Sequence, residues 1–411
     1  MFFLEKDRCT GCGACAGVCA SHAIQMRENS EGFLEPFLNK DLCVSCGMCE
    51  STCPILNDQC NDSPEQHCYL VTTQYEQYYR RSATMGLCTM LAEHILKEKG
   101  FVFGVWLDES EWKARHICIS NTVDLEKIRN SKYLQSDSAL CLEEVKAKLE
   151  TGEKVLFVGT PCQVGGLKAF LGRQYANLIT VDLICHGVYS YKLFREEIHY
   201  WESKLKGKVR NFRFRSKEVF PWVEGGIINF DLLKKKGETI HFERHGKYSP
   251  IYRCYAYSGD GFNYNLRKSC YSCHYRNPAR YGDLTVGDAW LVDDKYLDWN
   301  QINCSRGVSL AIANTVKGDE LLKRVSAIIQ QKEIPQEAAF VQPALLPASR
   351  TIPLARQELY QQLGKEDYGD LVNRLLNIDL NKLYERDQRQ VKNKAIKKKI
   401  KELVYGKRNR P

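Results

Sequence analysis

Two runs of cysteines near the start of the chain have the spacing of iron ligands. Each run reads Cys-x2-Cys-x2-Cys-x3-Cys, and the second repeats the first 34 residues later. Three thiolates two residues apart can wrap one loop around three corners of a 4Fe-4S cube, and in two-cluster proteins the fourth cysteine binds the other cube. The spacing therefore predicts an internal duplication that carries single electrons. The eight cysteines are Cys9, Cys12, Cys15, Cys19, Cys43, Cys46, Cys49 and Cys53.

The same rule assigns the ligands of each cluster. One cluster takes Cys9, Cys12, Cys15 and Cys53, and the other takes Cys43, Cys46, Cys49 and Cys19. Pro54 follows the second run as the pattern requires, whereas Ala20 stands where the first run usually has proline. A disulfide framework, a zinc site and core cysteines are the alternatives, and eight thiols in two matching runs count against all three.

Length and composition describe an ordinary globular chain. Its 411 residues suffice for two or three domains, with 44% hydrophobic and 27% charged residues. The start of the sequence has no apolar run followed by a cleavage site, and no stretch of about 18 apolar residues occurs, so we expect neither secretion nor a transmembrane segment. Nineteen cysteines suit a reducing compartment, which predicts a cytoplasmic protein.

The formal net charge of +9 ignores the predicted metal. Each 4Fe-4S cluster with four thiolates contributes about −2, so three clusters would bring the charge to roughly +3. The basic balance is therefore weak support for a nucleic-acid partner, and we predict none.

Sequence patterns divide the chain into three parts. Residues 1–62 form the two-cluster 4Fe-4S domain, residues 67–340 form the core, and residues 341–411 form a helical, basic C-terminal region. A polar stretch, 61–66, links the first two. In the core, strand and helix patterns alternate, which predicts an α/β domain on a mixed sheet. Predicted strands are Phe101–Trp106, Ala114–Ser120, Val155–Val158, Leu178–Ile184, Val209–Phe214, Gly226–Leu232, Leu284–Gly287 and Val308–Ala313, and predicted helices are Met85–Lys99, Ala139–Leu149, Pro161–Leu171, Tyr191–Leu205 and Gly318–Gln331.

The end of the chain is rich in lysine and arginine from Lys392 to Arg410. Ile396, Ile400 and Leu403 recur at helical spacing and define a narrow apolar stripe. We expect this helix to pack on its own domain; contact with a membrane surface or an acidic partner is the alternative.

Four further cysteines stand beside predicted strand ends or in a close pair: Cys162, Cys185, Cys270 and Cys273. Thr160 can cap a helix whose first residue is Pro161, and the positive end of that helix would lower the pKa of the Cys162 thiol. Neighbouring strand ends of an α/β sheet open on one side, so Cys162 and Cys185 can face each other. A third cluster, a zinc site at the pair and free thiols are all compatible with the spacing alone.

Several ordered motifs resemble the coenzyme F420 hydrogenase/dehydrogenase beta-subunit family, here with a fused two-cluster ferredoxin domain. They are GTPCQVGGLKAFL (159–171), VDLICHGV (181–188), SKYLQS (131–136), RKSCYSCHY (267–275), GDLTVGDAW (282–290) and GVSLAIANT (307–315). The resemblance covers residues 1 to about 320. It implies an FAD-binding core with one 4Fe-4S cluster, ligated by Cys162, Cys185, Cys270 and Cys273.

The resemblance also implies flavin contacts. Ser82, Thr84 and Gly86 precede a helix and offer hydroxyl and backbone N–H groups to a pyrophosphate. Ala83 and Met85 depart from the usual serine- and glycine-rich pattern, and ordinary helix capping is the alternative that the residues alone favour. No G-x-G-x-x-G fingerprint occurs. The other expected contacts are Ser131, Lys132, Tyr133, Ser136, Gly159, Thr160 and Gln163.

Two polar residues in these motifs are candidates for moving a proton. His186 follows the predicted ligand Cys185, and Asp288 ends a strand near the same edge. An imidazole and a carboxylate can serve as acid and base during substrate reduction. The alternative is that both only satisfy neighbouring polar groups.

These features predict a cytoplasmic oxidoreductase with three 4Fe-4S clusters and FAD. Its partners would be ferredoxin or another one-electron carrier and a small organic substrate or a deazaflavin such as coenzyme F420. A non-catalytic electron-transfer subunit is the main alternative. A nucleic-acid-binding protein, based on Arg213, Arg215 and the basic tail, is a weaker one because no binding module is present. The remaining cysteines are expected to be small buried hydrophobes: Cys60, Cys68, Cys88, Cys118, Cys141, Cys254 and Cys304.

Overall fold

The computed structural model describes residues 5–57, 66–217, 227–255, 263–297, 307–347 and 350–389. Its strands are β1 (Ile24–Glu28), β2 (Leu34–Leu38), β3 (His67–Thr72), β4 (Phe101–Asp108), β5 (Lys113–Ile119), β6 (Val155–Gly159), β7 (Leu178–Leu183), β8 (Lys208–Arg213), β9 (Ile227–Leu233), β10 (Thr239–His245), β11 (Leu284–Asp288), β12 (Ser309–Ala313) and β13 (Gln330–Ile334).

Helices separate many of these strands, and residues 380–389 are also helical. The α-helices with defined bounds are α1 (Ala14–Gly17), α2 (Met48–Ser51), α3 (Glu76–Tyr79), α4 (Leu87–Lys97), α5 (Leu125–Ile128), α6 (Ala139–Glu150), α7 (Pro161–Leu171), α8 (Tyr191–Leu205), α9 (Pro250–Tyr255), α10 (Lys268–Tyr271), α11 (Asp294–Leu297), α12 (Val316–Arg324), α13 (Gln336–Ala339), α14 (Leu354–Gln362) and α15 (Tyr368–Leu375).

An eight-stranded mixed sheet organises the core. Its strand order is β13-β3-β12-β11-β7-β6-β4-β5. The neighbours β11, β7, β6 and β4 run parallel, and the remaining pairs are antiparallel. Helices α4 and α12 pack on one face, and α6 and α7 pack on the other. Parallel strands buried on both faces need nearly continuous apolar runs, and Val155, Leu156 and Phe157 of β6 are fully buried. The predicted α/β class is confirmed.

The amino-terminal domain shows the duplication in its backbone. Helices α1 and α2 each follow a glycine in the left-handed region, Gly13 at φ 82° and Gly47 at φ 76°. Glycine adopts this conformation without the steric cost that other residues incur there. Strands β1 and β2 form an antiparallel hairpin between the two cysteine loops. The predicted ferredoxin-like 4Fe-4S domain is confirmed.

The C-terminal helices hold this domain against the core. Arg356 of α14 is almost fully buried, and its guanidinium forms a two-pronged ion pair with Glu31 of the β1–β2 turn. Its Nε donates to the carbonyl of Leu266 in the core. Tyr368 and Leu371 of α15 are buried in the hydrophobic cluster that packs around α8. The predicted helical C-terminal region is present as far as residue 389.

Most of the predicted elements occur, with their ends shifted by at most two residues. The helix predicted over Gly318–Gln331 is wrong at its end, because α12 stops at Arg324 and Gln330 begins β13. Pairing with β3 and burial of Ile334 outweigh the helical pattern there. Strands β1, β2, β3, β10 and β13 were not predicted.

The linker, except Gln66, and the basic tail beyond residue 389 lie outside the described residues. None of the described helices combines the length and hydropathy needed to cross a membrane.

Candidate iron-sulfur and flavin site

The parallel strands bring two of the core cysteines to one edge of the sheet. Strand β6 ends at Gly159 and leads through Thr160 and Pro161 to Cys162. Strand β7 pairs with β6 in parallel, with Gly159 opposite Asp182, and leads to Cys185. Cys270 and Cys273 join them from α10 and the residues after it, and all four cysteines line one small cavity of about 40 Å³.

Helix α7 begins with the predicted capping arrangement. Thr160 and Gln163 form a capping box around Pro161, which occupies the first helical turn. The Thr160 hydroxyl also lies 3.1 Å from Cys162 Sγ. Burial nevertheless raises the pKa of the Cys162 thiol to about 12, and the Thr160 hydroxyl offsets only part of this rise. The sequence-based expectation of a lowered pKa is wrong, because desolvation outweighs the end of the helix.

The other core cysteines share this environment. Burial raises the pKa of Cys185 well above its ordinary value, and the neighbouring Cys270, Cys162 and Cys273 raise it further. Burial likewise raises the pKa of Cys270 to about 12, with Cys273 adding to the rise. Thiols that raise each other's pKa must lie close together. Such thiols lose their protons only when a strongly positive partner stabilises the thiolates. A bound metal is such a partner, because it deprotonates its thiol ligands.

In the amino-terminal domain, the cysteines of the first predicted cluster lie together. The thiols of Cys9, Cys12 and Cys15 each interact electrostatically with Cys53, which comes from the other run. All four line one cavity of about 730 Å³. Burial is the main cause that raises the pKa of Cys12, to about 12, and the backbone N–H of Ala14 opposes it. The ligand assignment made from the spacing stays a prediction, and Cys53 lies beside the three cysteines with which it was grouped.

The second loop lies nearer to solvent. Cys46 is exposed, and Cys43 and Cys49 are half-buried. Burial raises the pKa of Cys19, but the Ser21 hydroxyl and the backbone N–H groups of Ala23 and Ile24 outweigh it, so the pKa is lowered overall. Backbone N–H donors around a thiol sulfur are a feature that tunes iron-sulfur sites. The exposed loop is the side of the molecule from which an external electron carrier can reach the cysteines.

Within the described ranges, no three histidine, cysteine, aspartate or glutamate side chains converge at distances that suit a single metal ion. A cube requires a wider arrangement, because each thiolate binds a different iron.

Unpartnered polar atoms test whether the residues fit a cluster. Four buried donors beside the core cysteines have no hydrogen-bond partner: Arg267 Nε, Ser269 Oγ, Tyr275 Oη and Arg276 Nη1. Buried donors nearly always have an acceptor, and the sulfurs of an iron-sulfur cluster accept such hydrogen bonds. The donors therefore fit a 4Fe-4S group held by these cysteines.

A third cavity, of about 600 Å³, adjoins the core-cysteine cavity at Cys185 and is the large cavity of the core. This volume lies in the range of cofactor pockets. Every residue predicted to contact the flavin lines it, together with His186, Asp288 and the ligand candidate Cys185. The predicted contacts are Ser82, Thr84, Gly86, Ser131, Lys132, Tyr133, Ser136, Gly159, Thr160 and Gln163.

One end of this cavity has the character of an anion site. Gly86 precedes α4 at φ 93°, no side chain caps this helix, and Leu87, Cys88 and Thr89 of its first turn line the cavity. A Cβ on Gly86 would lie 2.8 Å from the Tyr78 carbonyl oxygen, so only glycine fits there. Uncapped N–H groups at a helix start bind phosphate well. The Ser82 hydroxyl is buried nearby without a partner.

Two lysines add positive charge to the same cavity region. Desolvation lowers the pKa of Lys132 to about 7, and its ammonium group donates to the backbone carbonyl of Arg129. Desolvation also lowers the pKa of Lys217 to about 7, and its ammonium group donates to the Thr84 carbonyl. An anionic ligand would reverse both shifts, since a nearby negative charge favours the charged form of lysine. The residues therefore fit a cofactor that carries phosphates.

Gln163, Ser136 and Thr160, three of the predicted flavin residues, are bonded to one another. The Gln163 amide group donates to the backbone carbonyl and hydroxyl of Ser136, and its oxygen accepts from the backbone N–H of Thr160. The Ser136 hydroxyl lies 2.8 Å from His116 Nδ1. These bonds fix the wall of the cavity between β6 and the 131–136 segment.

The proposed proton-moving residues differ in their surroundings. Burial lowers the pKa of His186 to about 4, with Arg350 adding to the effect, so its imidazole is neutral at physiological pH. Asp288 forms an ion pair with Arg215, in which Arg215 Nη1 lies 2.9 Å from Asp288 Oδ2. The Asp288 carboxylate also accepts a hydrogen bond from the Thr84 hydroxyl. His186 is therefore placed to act as a neutral hydrogen-bonding group, whereas Asp288 orients Arg215 and Thr84.

The three cavities share walls and form a series. Arg267, Thr10 and Ser269 line both the amino-terminal cavity and the core-cysteine cavity. Cys185 and His186 line both the core-cysteine cavity and the large one. The three cavities thus adjoin one another in order, from the first cysteine loop through the core cysteines to the large cavity.

Sequence reasoning missed several residues of the site. Arg215 was considered only for nucleic-acid binding, and Lys217, Trp290 and Arg350 were not considered, yet all but Lys217 line the large cavity. Arg215 and Lys217 follow β8, in a separate three-stranded sheet, and no local pattern ties that strand to the pocket. The motif RKSCYSC did contain Arg267, and its position three residues before Cys270 was the available signal.

Comparison with known proteins agrees with this arrangement. Residues 152–337 match the family described as the C terminus of the coenzyme F420 hydrogenase/dehydrogenase beta subunit, and residues 8–56 match the 4Fe-4S dicluster domain. The coenzyme F420-dependent sulfite reductase of Methanocaldococcus jannaschii is 24% identical over 267 residues, which cover 56% of this chain and 38% of that protein. The chain thus spans well under half the length of this relative.

A solved structure was also found, the F420-reducing NiFe hydrogenase complex from Methanosarcina barkeri. The alignment covers 80% of this chain and 94% of that chain, with a TM-score of 0.39 and 15% identity. The two family matches lie on the cysteine loops and on five of the six core motifs that carried the sequence resemblance, since SKYLQS (131–136) lies ahead of the family region. Residues 152–337 therefore carry the C-terminal region of the coenzyme F420 hydrogenase/dehydrogenase beta-subunit family, and a 4Fe-4S dicluster domain lies ahead of it.

Proposed function

We propose that this chain is an iron-sulfur flavoprotein oxidoreductase. Electrons would pass between a one-electron carrier such as ferredoxin, two clusters in residues 1–62, a third cluster in the core of residues 67–340, and FAD. The coarser statement, an iron-sulfur oxidoreductase related to F420 enzymes, follows from the family. The third cluster, the FAD and two-electron transfer to an organic substrate or deazaflavin are the proposed parts.

The series of three cavities is the observation that carries the proposal. Cys185 and His186 form a wall between the core cysteines and the large cavity, so a cluster and a flavin there would be direct neighbours. FAD would supply the exchange between single electrons and a hydride, which clusters alone do not provide. A relay protein would need the cysteine sites but would not need a cavity of about 600 Å³ beside them.

The chain's own residues would bind and orient the flavin. The uncapped start of α4, with Gly86, and the ammonium group of Lys132 offer donors to the phosphates. Tyr133 and Trp290 provide aromatic surface in the cavity, and the neutral imidazole of His186 stands at the cluster end. His186 and Asp288 are the proposed proton-moving residues; the Asp288 carboxylate also pairs with Arg215 and accepts from the Thr84 hydroxyl.

The main alternative is an electron-transfer subunit of a larger complex. The exposed Cys46 loop favours it, because this loop is open to a protein partner that could exchange electrons with the chain. The basic tail beyond residue 389 would be a further contact for an acidic partner or a membrane surface. Cytoplasmic location remains a prediction from the number of cysteines.

Anaerobic flavin spectroscopy separates the two functions. The protein, loaded with iron, sulfide and FAD, is reduced by a reduced ferredoxin and then mixed with single small molecules, including coenzyme F420 and sulfite. The proposal expects the flavin absorbance to bleach and then to recover with one of these oxidants. Bleaching followed by recovery only with a partner protein would support the relay subunit, and no bleaching at all would overturn the flavoprotein oxidoreductase.

A further inference from the structure

Arg267 occupies the wall between the first amino-terminal cysteine site and the core cysteine site. Its side chain is 4% exposed and lines both cavities. Its backbone is fixed on both sides, because its N–H donates to the Val188 carbonyl and its own carbonyl accepts from the N–H of Cys270. The residue is therefore attached directly to a ligand candidate of the core site.

The guanidinium fork reaches into the other domain. One nitrogen, Nη1, donates to the Cys9 carbonyl at 3.2 Å, and Nη2 donates to the Leu34 carbonyl at 2.7 Å. Both acceptors are neutral, so neither bond neutralises the positive charge. The third nitrogen, Nε, is buried without a partner beside the core cysteines. A planar group with donors on several sides suits a bridging position, which a lysine ammonium cannot reproduce.

The charge acts on ligand candidates of both sites. Arg267 lines the amino-terminal cavity together with Cys9 and the core-cysteine cavity together with Cys162 and Cys270. Its Nη1 bond to the Cys9 carbonyl and its buried, unpartnered Nε hold the positive charge between the two groups of thiols. One cation thus stabilises negative charge on both sides of the domain boundary.

We propose that Arg267 is a shared electrostatic bridge, a positioning residue that raises the reduction potentials of the first amino-terminal cluster and the core cluster together. Reduction adds one negative charge to a cluster, so a buried cation close to both favours both reduced forms. The exchange between them moves one electron and makes or breaks no bond. Keeping the two potentials close avoids an uphill step between the domains. This inference rests on the proposed third cluster.

Arg276 provides the matched control. It is also 4% exposed and lines the core-cysteine cavity, but it does not line the amino-terminal one. The Arg276 Nη1 is buried without a partner beside the core cysteines, and its Nε and Nη2 donate to the Pro343 carbonyl. Arg267→Gln removes a charge that faces two sites, whereas Arg276→Gln removes a charge that faces one.

The test is a potentiometric titration of all clusters by electron paramagnetic resonance in the full chain. Arg267→Gln should lower the reduction potentials of two clusters by about 59 mV each. This shift is a tenfold change in the equilibrium constant of a one-electron reduction. Arg267→Lys keeps the positive charge, so both reduction potentials should stay close to those of the wild type while the domain contact loosens. Arg276→Gln should shift the reduction potential of the core cluster only.

Two results would overturn the inference. One is an Arg267→Gln protein with three clusters in which only one potential moves, or none. The other is an Arg267→Lys protein whose potentials fall as far as those of Arg267→Gln, which would make the effect one of structure and not of charge. A wild-type protein with only two clusters would instead remove the proposed function itself, and the iron content of the wild type shows which has failed.

Discussion

Cys12 packs directly against Gly166, one turn along α7 from Cys162. A Cβ built on Gly166 would lie 2.8 Å from Cys12 Cβ and 3.0 Å from its Sγ. Residues four apart lie on one face of a helix, so the loop that holds the first cluster and the ligand candidate Cys162 share the same face of α7. The electrostatic effect of Cys12 on Cys162 agrees with this closeness. The absence of a side chain at position 166 brings the two sites together.

Gly166→Ala should separate the two sites. The added methyl group has no room beside Cys12, so the loop must shift, at a cost of about 1–3 kcal/mol in the free energy of unfolding. We expect slower flavin reduction through the amino-terminal clusters, measured by stopped-flow absorbance with ferredoxin as donor.

Gly172→Ala is the control for this variant. Gly172 ends the same helix at φ 64° with nothing within 4 Å of an added Cβ, so the change costs about 1 kcal/mol through backbone strain alone. It should leave the rate of flavin reduction as in the wild type. Equal slowing by both variants would contradict the role of the Cys12 contact.

The crossed ligand assignment predicts which cluster each fourth cysteine serves. Cys53 lies with the buried first site, whereas the spacing assigns Cys19 to the exposed second one. A chelator should remove iron from the wild type in a fast phase from the exposed cluster and a slow phase from the buried ones. Cys53→Ala should keep the fast phase, and Cys19→Ala should lose it. The reverse pattern would show that each run holds a single cluster with its own four cysteines.

Lys132 should strengthen flavin binding through its charge. Its ammonium group lies on the cavity wall, where desolvation lowers its pKa to about 7, and a phosphate would restore the charged form. Lys132→Met should weaken FAD binding by about tenfold, or roughly 1.4 kcal/mol, in a titration followed by flavin fluorescence. Lys132→Arg should keep most of the affinity.

The control for Lys132 is a neighbouring lysine outside the cavity. Lys127→Met removes an exposed cation that pairs with Asp124, and it should leave FAD affinity unchanged. If both substitutions weaken binding alike, the effect comes from the general charge of the surface and not from a phosphate contact.

Buried His116 predicts how stability depends on pH. Burial lowers its pKa to about 4, below the ordinary 6.5, while its ring stacks on Phe157 and both nitrogens have partners. The unfolded chain therefore binds more protons between about pH 4 and 6.5, and stability rises with pH across this window. The contribution, up to about 3 kcal/mol, is complete above about pH 6.5 and is lost toward pH 4.

The measurement is the thermal midpoint of the holoprotein between pH 5 and 7. His116→Gln should flatten its rise with pH, whereas His199→Gln, at an exposed position, serves as the control. A slope that His116→Gln leaves intact would show that the folded protein tolerates the charged imidazole.

Local patterns predicted the parts of the fold whose signals are local. The eight amino-terminal cysteines have a fixed spacing. The start of α7 is also marked within four residues, by the capping residue Thr160, by Pro161 and by Gln163. Strand β13 was missed because its residues, Gln330 to Ile334, alternate weakly and become a strand only by pairing with β3 more than 250 residues away in sequence.

The same reasoning explains the errors at the site. The pKa of Cys162 depends on how deeply the folded protein buries the thiol. The residues next to Cys162 in the sequence do not indicate this depth. Arg215 lines the large cavity and Lys217 bonds to the carbonyl of Thr84 in its wall, although both follow a strand of the separate three-stranded sheet. Gly166 carries no sign in the sequence that another domain packs against it.

The content of iron and flavin in the anaerobically purified protein tests the central claim most directly. We expect about twelve iron, about twelve sulfide and about one FAD per chain, since two cubes and one flavin would fill the series of cavities and the exposed second loop would hold a third cube. Cys162→Ala should lose about four of these iron atoms and keep the amino-terminal clusters, while Cys141→Ala, a buried cysteine whose thiol bonds to the Ser138 carbonyl, should lose none. About eight iron without flavin in the wild type would contradict the account.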